Sequence, residues 1–185
     1  MAMPAVQSRR WTAAEVRALP DEPGKRFECV DGELIVSPGP KWPHQRAVRA
    51  LILAIHPYVV THGIGDLLFG PGEVELDPYT LVQPDLFVAA PEELSARWDT
   101  VKTLLLAIEV LSPRSGRADR VLKRGAYQEN RVATYWIVDH EAELMEVWRP
   151  DDARPLVVTD ALAWRVRPDA PELRLELATL WEGLP

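Results

Sequence analysis

Two acidic residues stand where acids are costly. Asp85 lies in the apolar run Leu81-Val82-Gln83-Pro84-Asp85-Leu86-Phe87-Val88, and Glu109 lies in Leu104-Leu105-Leu106-Ala107-Ile108-Glu109-Val110-Leu111. A buried carboxylate costs several kcal/mol unless it is paired or binds a metal. Two acids on adjacent strands offer the hard oxygens that Mg2+ or Mn2+ prefers. The competing reading places each acid at a solvated strand end or against a buried arginine. Lys123 is the candidate cation, with Tyr127 four residues on and so on the same helix face. Asp119 precedes Lys123 by four residues, and a solvated surface pair between them is the plainer alternative.

The segment Arg114 to Arg124 holds five bases against Asp119, a local charge of +4 that leaves −11 for the remainder. Arg114, Arg117 and Arg120 could meet a phosphodiester there, or form an ordinary solvated helix face. His56, His62 and His140 lack metal-ligand spacing. Ser112 and Ser115 lack the setting of a serine nucleophile, and no glycine-rich phosphate loop is present.

The elements that must position these groups read as mixed α/β. Thr12 and Glu15 have capping-box spacing at the start of a helix that stops before Pro20. Asp31-Gly32 between Arg26–Val30 and Glu33–Val36 predicts a hairpin. A helix is expected from about His44 to Val60, with Val48, Leu51, Ile52 and Ile55 as its apolar stripe and Pro57 as an interruption. His62 to Gly65 reads as loop. Strands are expected at Glu73–Leu76 and Leu81–Val88, the second with an awkward proline, and Pro91–Trp98 as short helix or loop. Leu104–Leu111 reads as a strand covered on both faces. A helix should run from Ser115 to about Asn130, its inner face formed by Val121, Leu122, Gly125 and Ala126. Thr134–Val138 and Leu144–Trp148 read as paired strands. The tail predicts edge strands and a last helical turn at Leu177–Trp181.

The chain of 185 residues suggests one domain spanning 1–185. Acids outnumber bases 28 to 21, a formal charge of −7, which disfavours a protein that coats nucleic acid indiscriminately. A single cysteine, Cys29, excludes an internal disulfide framework and a cysteine zinc cage. No apolar run approaches the ~20 residues that span a bilayer. The N-terminus lacks the apolar core of a secretory signal, so no membrane partner and a cytoplasmic location are expected.

The motifs occur in an order that resembles a known family. They are Phe27-Glu28-x-x-Asp31-Gly32-Glu33-Leu34, Ser37-Pro38, His44-Gln45, Val82-Gln83-Pro84-Asp85-Leu86, Ile108-Glu109-Val110-Leu111-Ser112-Pro113, Asp119-Arg120-x-x-Lys123-x-x-x-Tyr127, and Tyr135-Trp136-Ile137-Val138-Asp139. Over about residues 10–180 this pattern resembles the Uma2 family (DUF820) of restriction-endonuclease-like proteins, within the PD-(D/E)XK nuclease superfamily. The resemblance implies a restriction-endonuclease-like core, a mixed sheet flanked by helices with an N-terminal helix and hairpin. It implies Asp85 and Glu109, with the Val110 carbonyl, as holders of Mg2+ or Mn2+. Leu111 stands where the superfamily often has lysine, and Lys123 matches the position that replaces it. Glu28 or Glu33 would be an additional acid. His44, Gln83 and Tyr127 match recurrent positions, with support or substrate contact as their roles. The implied activity is Mg2+-dependent cleavage of DNA. A non-catalytic interaction module on the same fold, and a different hydrolase or small-ligand protein, are the alternatives. Edge strands in the tail leave room for a homodimer.

Overall fold

The protein is described by a computed structural model covering residues 9–94, 101, 103–113 and 115–182. The site is positioned by two sheets lying one over the other. The larger holds β3 (Asp66–Phe69), β6 (Leu86–Ala89), β7 (Leu104–Val110), β8 (Tyr135–Asp139), β9 (Leu144–Trp148) and β10 (Leu156–Val158). Their order is β10-β9-β8-β7-β6-β3, and only β7 and β8 run parallel. The smaller holds β1 (Lys25–Val30), β2 (Glu33–Pro38), β4 (Val74–Asp77) and β5 (Thr80–Val82), in the order β2-β1-β5-β4.

Strand alternation sorts the large sheet's side chains between two cores. Leu86 and Val88, Leu106, Ile108 and Val110, and Trp136 and Val138 face one side. There they meet α2 (Trp42–Thr61), α4 (Leu177–Trp181) and the ribbon of β11 (Ala161–Trp164) and β12 (Leu173–Glu176). Phe87 and Ala89, Ala107 and Leu111, and Tyr135 and Ile137 face the other side, toward Val30, Val74 and Val82 of the small sheet and Ala126 and Tyr127 of α3 (Arg124–Glu129). Asp85 and Glu109 share the parity of this second set. The alternation therefore directs both acids into the space between the sheets.

Most expected elements are present. Thr12 and Glu15 form the capping box of α1 (Ala13–Arg17). Asp31 and Gly32, both at positive φ, turn the β1–β2 hairpin, as an Asp-Gly primed turn requires. In α2 the buried side chains are Ala47, Val48, Leu51, Ile55, Tyr58 and Val59, along with His44. Pro57 sits on its solvent face, where the carbonyl that loses a helical partner can be hydrated.

Three expectations are corrected. The run Leu81–Val88 is two strands, because the chain leaves the small sheet after Val82 and joins the large one at Leu86. Pro84 brings no N–H, and the Gln83 N–H donates to Glu28 Oε1 at 2.7 Å instead of to a strand. Second, β3 follows directly on the loop at Gly63–Gly65 and pairs antiparallel with β6. A four-residue edge strand carries too little alternation to read. It needs Gly65, where a Cβ would lie 2.0 Å from the Ala89 carbonyl oxygen.

Third, the helix beginning near Ser115 is not regular. Ala118–Lys123 forms wide π-type turns, with the Arg124 N–H reaching Asp119 O, before α3 begins. The expected apolar inner face holds in part: Ala126 is buried and Leu122 packs against the core, but Val121 is 51% exposed, while Asp119 and Lys123 are buried. Pro91–Leu94 is a short 3-10 turn, and the rest of the Pro91–Trp98 expectation lies outside the described residues.

Candidate active site

Leu86 pairs with Ile108 in the antiparallel β6–β7 ladder, so the next position outward sets Asp85 opposite Glu109. The Val110 amide donates to Asp85 Oδ2 at 2.9 Å, and Arg26 Nη1 donates to Oδ1 at 3.2 Å. His44 Nε2 lies 3.2 Å from the same Oδ1 but off the hydrogen-bond line. Burial pushes the Asp85 carboxyl up. The nearby His44 imidazole, the Arg26 guanidinium and the Val110 amide outweigh that and hold it below the ordinary aspartate value.

Glu109 Oε1 accepts from Lys123 Nζ at 2.9 Å and from the Tyr127 hydroxyl at 3.2 Å. Burial dominates here and drives its carboxyl well above the ordinary value, against the pull of Lys123. Lys123 Nζ also lies 2.8 Å from Glu28 Oε1 and 3.7 Å from Asp119 Oδ1. Burial alone would lower its affinity for a proton, but these carboxylates overcome it, so the ammonium stays charged. Asp119 is raised by burial against Lys123. Tyr127 is raised by burial and by Glu109, which keeps its hydroxyl a donor.

Four buried carboxylates thus face two fixed cations, Lys123 and Arg26, a formal excess of two negative charges. They line a cleft of about 640 Å³ between the hairpin β1–β2, the start of α2 and the end of β7. A neighbouring hollow of about 510 Å³ shares Arg26 and Asp85 with it. The arrangement is a hard-oxygen, anionic pocket with one embedded ammonium. It can bind a divalent cation and present a charged amine beside it.

The structure brings together Glu28, His44, Asp85, Glu109, Val110, Lys123 and Tyr127. Of the two hairpin glutamates, Glu28 lies in this cluster and Glu33 does not. Both lie on one face of the hairpin, Glu28 opposite Ile35 and Glu33 opposite Val30. Glu33 is beside the turn and exposed, while Glu28 is two residues deeper and buried. Gln83 serves Glu28: its amide holds Oε1, and its Nε2 donates to Phe27 O at 3.2 Å.

The basic segment is largely committed elsewhere. Arg120 donates to Glu146 at 2.6 Å and Asp139 at 3.2 Å, and Arg124 stacks on Trp148. Arg117 is exposed and makes no ion pair among the described residues, and Arg114 lies outside them. Asp119 and Lys123 are not a surface pair. Two members of the cluster escaped the sequence reading. Arg26 shares β1's parity with Glu28, a signal that was present. Asp119 stands one helical step from Lys123 as Lys123 does from Tyr127, and that face proved to be the inward one.

The mixed sheet flanked by helices is a nuclease-like fold. Residues 13–179 match the Uma2 family, described as "putative restriction endonuclease", and the chain belongs to that family. The fold is similar to the crystal structure of "a putative nuclease belonging to DUF820" from Anabaena variabilis. The TM-score is 0.77 at 20% identity, covering 95% of this chain and 99% of that one. No protein of curated function matches the chain. No helix among the described residues is long and apolar enough to cross a membrane.

Proposed function

We propose that the chain is a metal-dependent endonuclease that hydrolyses DNA phosphodiester bonds. One observation carries this reading: strand register sets Asp85 opposite Glu109 on the cleft face, with the buried Lys123 ammonium 2.9 Å from Glu109. Among the described residues no three His, Cys, Asp or Glu side chains form a ready-made metal cage. Mg2+ does not require one, because it keeps several waters and takes one or two carboxylates plus substrate phosphate. The donor chemistry fits: hard oxygens, an excess of negative charge and an open cleft.

Asp85, Glu109 and the Val110 carbonyl would hold Mg2+ or Mn2+. Such an ion lowers the pKa of a bound water and screens phosphate charge. The remaining work belongs to the chain. The Val110 amide and Arg26 orient Asp85. Tyr127 orients Glu109. Glu28, held by Gln83, and Asp119 keep Lys123 charged and in place. Lys123 orients the attacking water or stabilises charge on the phosphorus oxygens. Arg117 and Arg114 are the segment's candidate backbone contacts, whereas Arg120 serves the sheet.

A second reading, a non-catalytic binding module, draws on one specific feature. Lys123 already gives Glu28 and Glu109 a partner without any metal. Calorimetry with Mg2+ and Mn2+, beside cleavage of linear, branched and single-stranded DNA, separates the two. A nuclease binds metal and cuts, and both are lost in Asp85→Asn. Wild-type cleavage in Asp85→Asn and Glu109→Gln would sink the assignment. An absence of metal binding in the wild type would favour the module.

A further inference from the structure

Beside the cleft lies the second hollow, about 510 Å³, within the usual size range of small-ligand pockets. The chemistry above makes no use of it. Arg26 and Asp85 line both spaces, so they form the wall between them. Phe69, the last residue of β3, also lines the hollow. Its position is tied to the acid: the next amide, Gly70 N–H, donates to the Asp85 carbonyl at 3.1 Å. A Cβ on Gly70 would lie 3.9 Å from Arg26 Nη1, so the guanidinium rests near the same turn. Phe69 is 60% exposed, although phenylalanine is ordinarily among the most buried side chains. Leu19, Phe27 and Val48 add further apolar lining.

Charge separates the hollow from the cleft. Arg17, Lys25 and Arg26 are matched by Asp21, Glu73 and Asp85, so the lining of the hollow is formally neutral. Arg17 is already held, with Nε donating to Glu73 Oε2 at 3.0 Å. A neutral, largely apolar lining does not select a second phosphate. It matches an uncharged, flat group. One donor on the shared wall is uncommitted: Arg26 Nη1 serves Asp85, but Arg26 Nε is buried with no hydrogen-bond partner among the described residues. A buried donor without an acceptor is costly. A nucleobase is flat and uncharged, and its edge carries carbonyl and ring-nitrogen acceptors. Taking it out of a duplex costs pairing and stacking energy, least where the base is already unpaired.

We infer that this hollow receives one unpaired base of the substrate strand, adjoining the phosphate held at Asp85, with Phe69 packed on its ring and the free edge of Arg26 meeting its acceptors. The substrate class that fits is DNA with an unpaired nucleotide at the cut: a bulge, a flap or a single strand. This rests on the nuclease reading and narrows its substrate.

The test is binding rather than cleavage, so that the two readings can fail separately. Three short labelled duplexes serve as probes: one fully paired, one with a single bulged nucleotide, and one whose bulged nucleotide lacks its base. Fluorescence anisotropy is measured with Ca2+ in place of Mg2+, which answers the negative charge of the cleft. The wild type should bind the bulged duplex about tenfold more tightly than the abasic bulge, the scale of one base–aromatic stack. Phe69→Ala should lose most of that preference while binding the abasic probe as the wild type does. Phe69→Tyr, which keeps a flat ring, should retain it. Phe69→Leu keeps apolar bulk in β3, should the strand need it to fold, and should lose the preference as alanine does. Circular dichroism checks the fold of each variant. Equal wild-type affinity for the bulged and abasic probes overturns the hollow as a base site. So does a preference for the base that survives in both Phe69→Ala and Phe69→Leu, because the base is then held elsewhere. Either result leaves the nuclease proposal standing if the wild type cuts DNA with Mg2+ or Mn2+. A wild type that neither binds these probes nor cuts DNA removes the nuclease reading and this inference with it.

Discussion

Replacing Lys123 by methionine keeps most of the side-chain volume and removes one charge from among three carboxylates. Its ammonium lies 2.8 Å from Glu28, 2.9 Å from Glu109 and 3.7 Å from Asp119, and all four side chains are buried. Breaking a buried ion pair on one side typically costs about 3–5 kcal/mol. The protein can limit that cost by binding a proton. Neutralising a glutamate of ordinary pKa, about 4.3, costs about 1.36 kcal/mol for each pH unit above it. That is about 3.7 kcal/mol at pH 7 and about 1 kcal/mol at pH 5. Lys123→Met should therefore lose about 3–4 kcal/mol at pH 7, and most of the deficit should vanish by pH 5. Urea unfolding followed by tryptophan fluorescence in EDTA, at both pH values, measures it. A deficit below about 1 kcal/mol at pH 7, or one that does not change with pH, would refute the claim that this ammonium neutralises buried carboxylates.

Other outcomes follow from the same contacts. Glu109 and Asp119 are raised by burial, so the folded state holds protons that the unfolded state releases. Stability should fall as pH rises from the ordinary carboxylate range toward the raised values, and Glu109→Gln should flatten that decline in urea titrations. Identical pH profiles for variant and wild type would count against it. Asp85 is held low, so its own contribution runs the opposite way and is lost only in acid. Tyr127→Phe deletes one hydrogen bond to Glu109 and should cost about 0.5–1.5 kcal/mol by urea unfolding, with Glu109 left to Lys123. Gly65→Ala should unpair β3 from β6, because its Cβ would meet the Ala89 carbonyl. Hydrogen exchange should then rise at Asp66 and Leu68, whose amides face β6 in this register, and unchanged protection there would show that the strand tolerates the methyl.

Much of this protein is written in local pattern. The Asp-Gly turn, the Thr12–Glu15 box, the stripe of α2 and the apolar runs of β7 and β8 each follow from backbone sterics or side-chain period, which act over a few residues. The anomaly that led to the site was equally local: an acid inside each of two apolar runs. Family resemblance added Lys123, which spacing alone would have left as a surface pair with Asp119.

Tertiary structure decided the partners. Which glutamate of the hairpin enters the site depends on depth along a strand, since Glu28 and Glu33 share a face. The switch of sheets at Gln83–Asp85 depends on a glutamate that lies 55 residues earlier in the chain. The wide turns at Ala118–Lys123 turn two charged residues inward and Val121 outward, against the order that hydrophobicity prefers. That inversion is stable because Glu28, Glu109, Asp119 and Lys123 satisfy one another, and they come from three separate parts of the chain. The types of the reactive groups were thus legible from sequence. Their mutual neutralisation was not, because a charge's environment is set by what the fold packs around it.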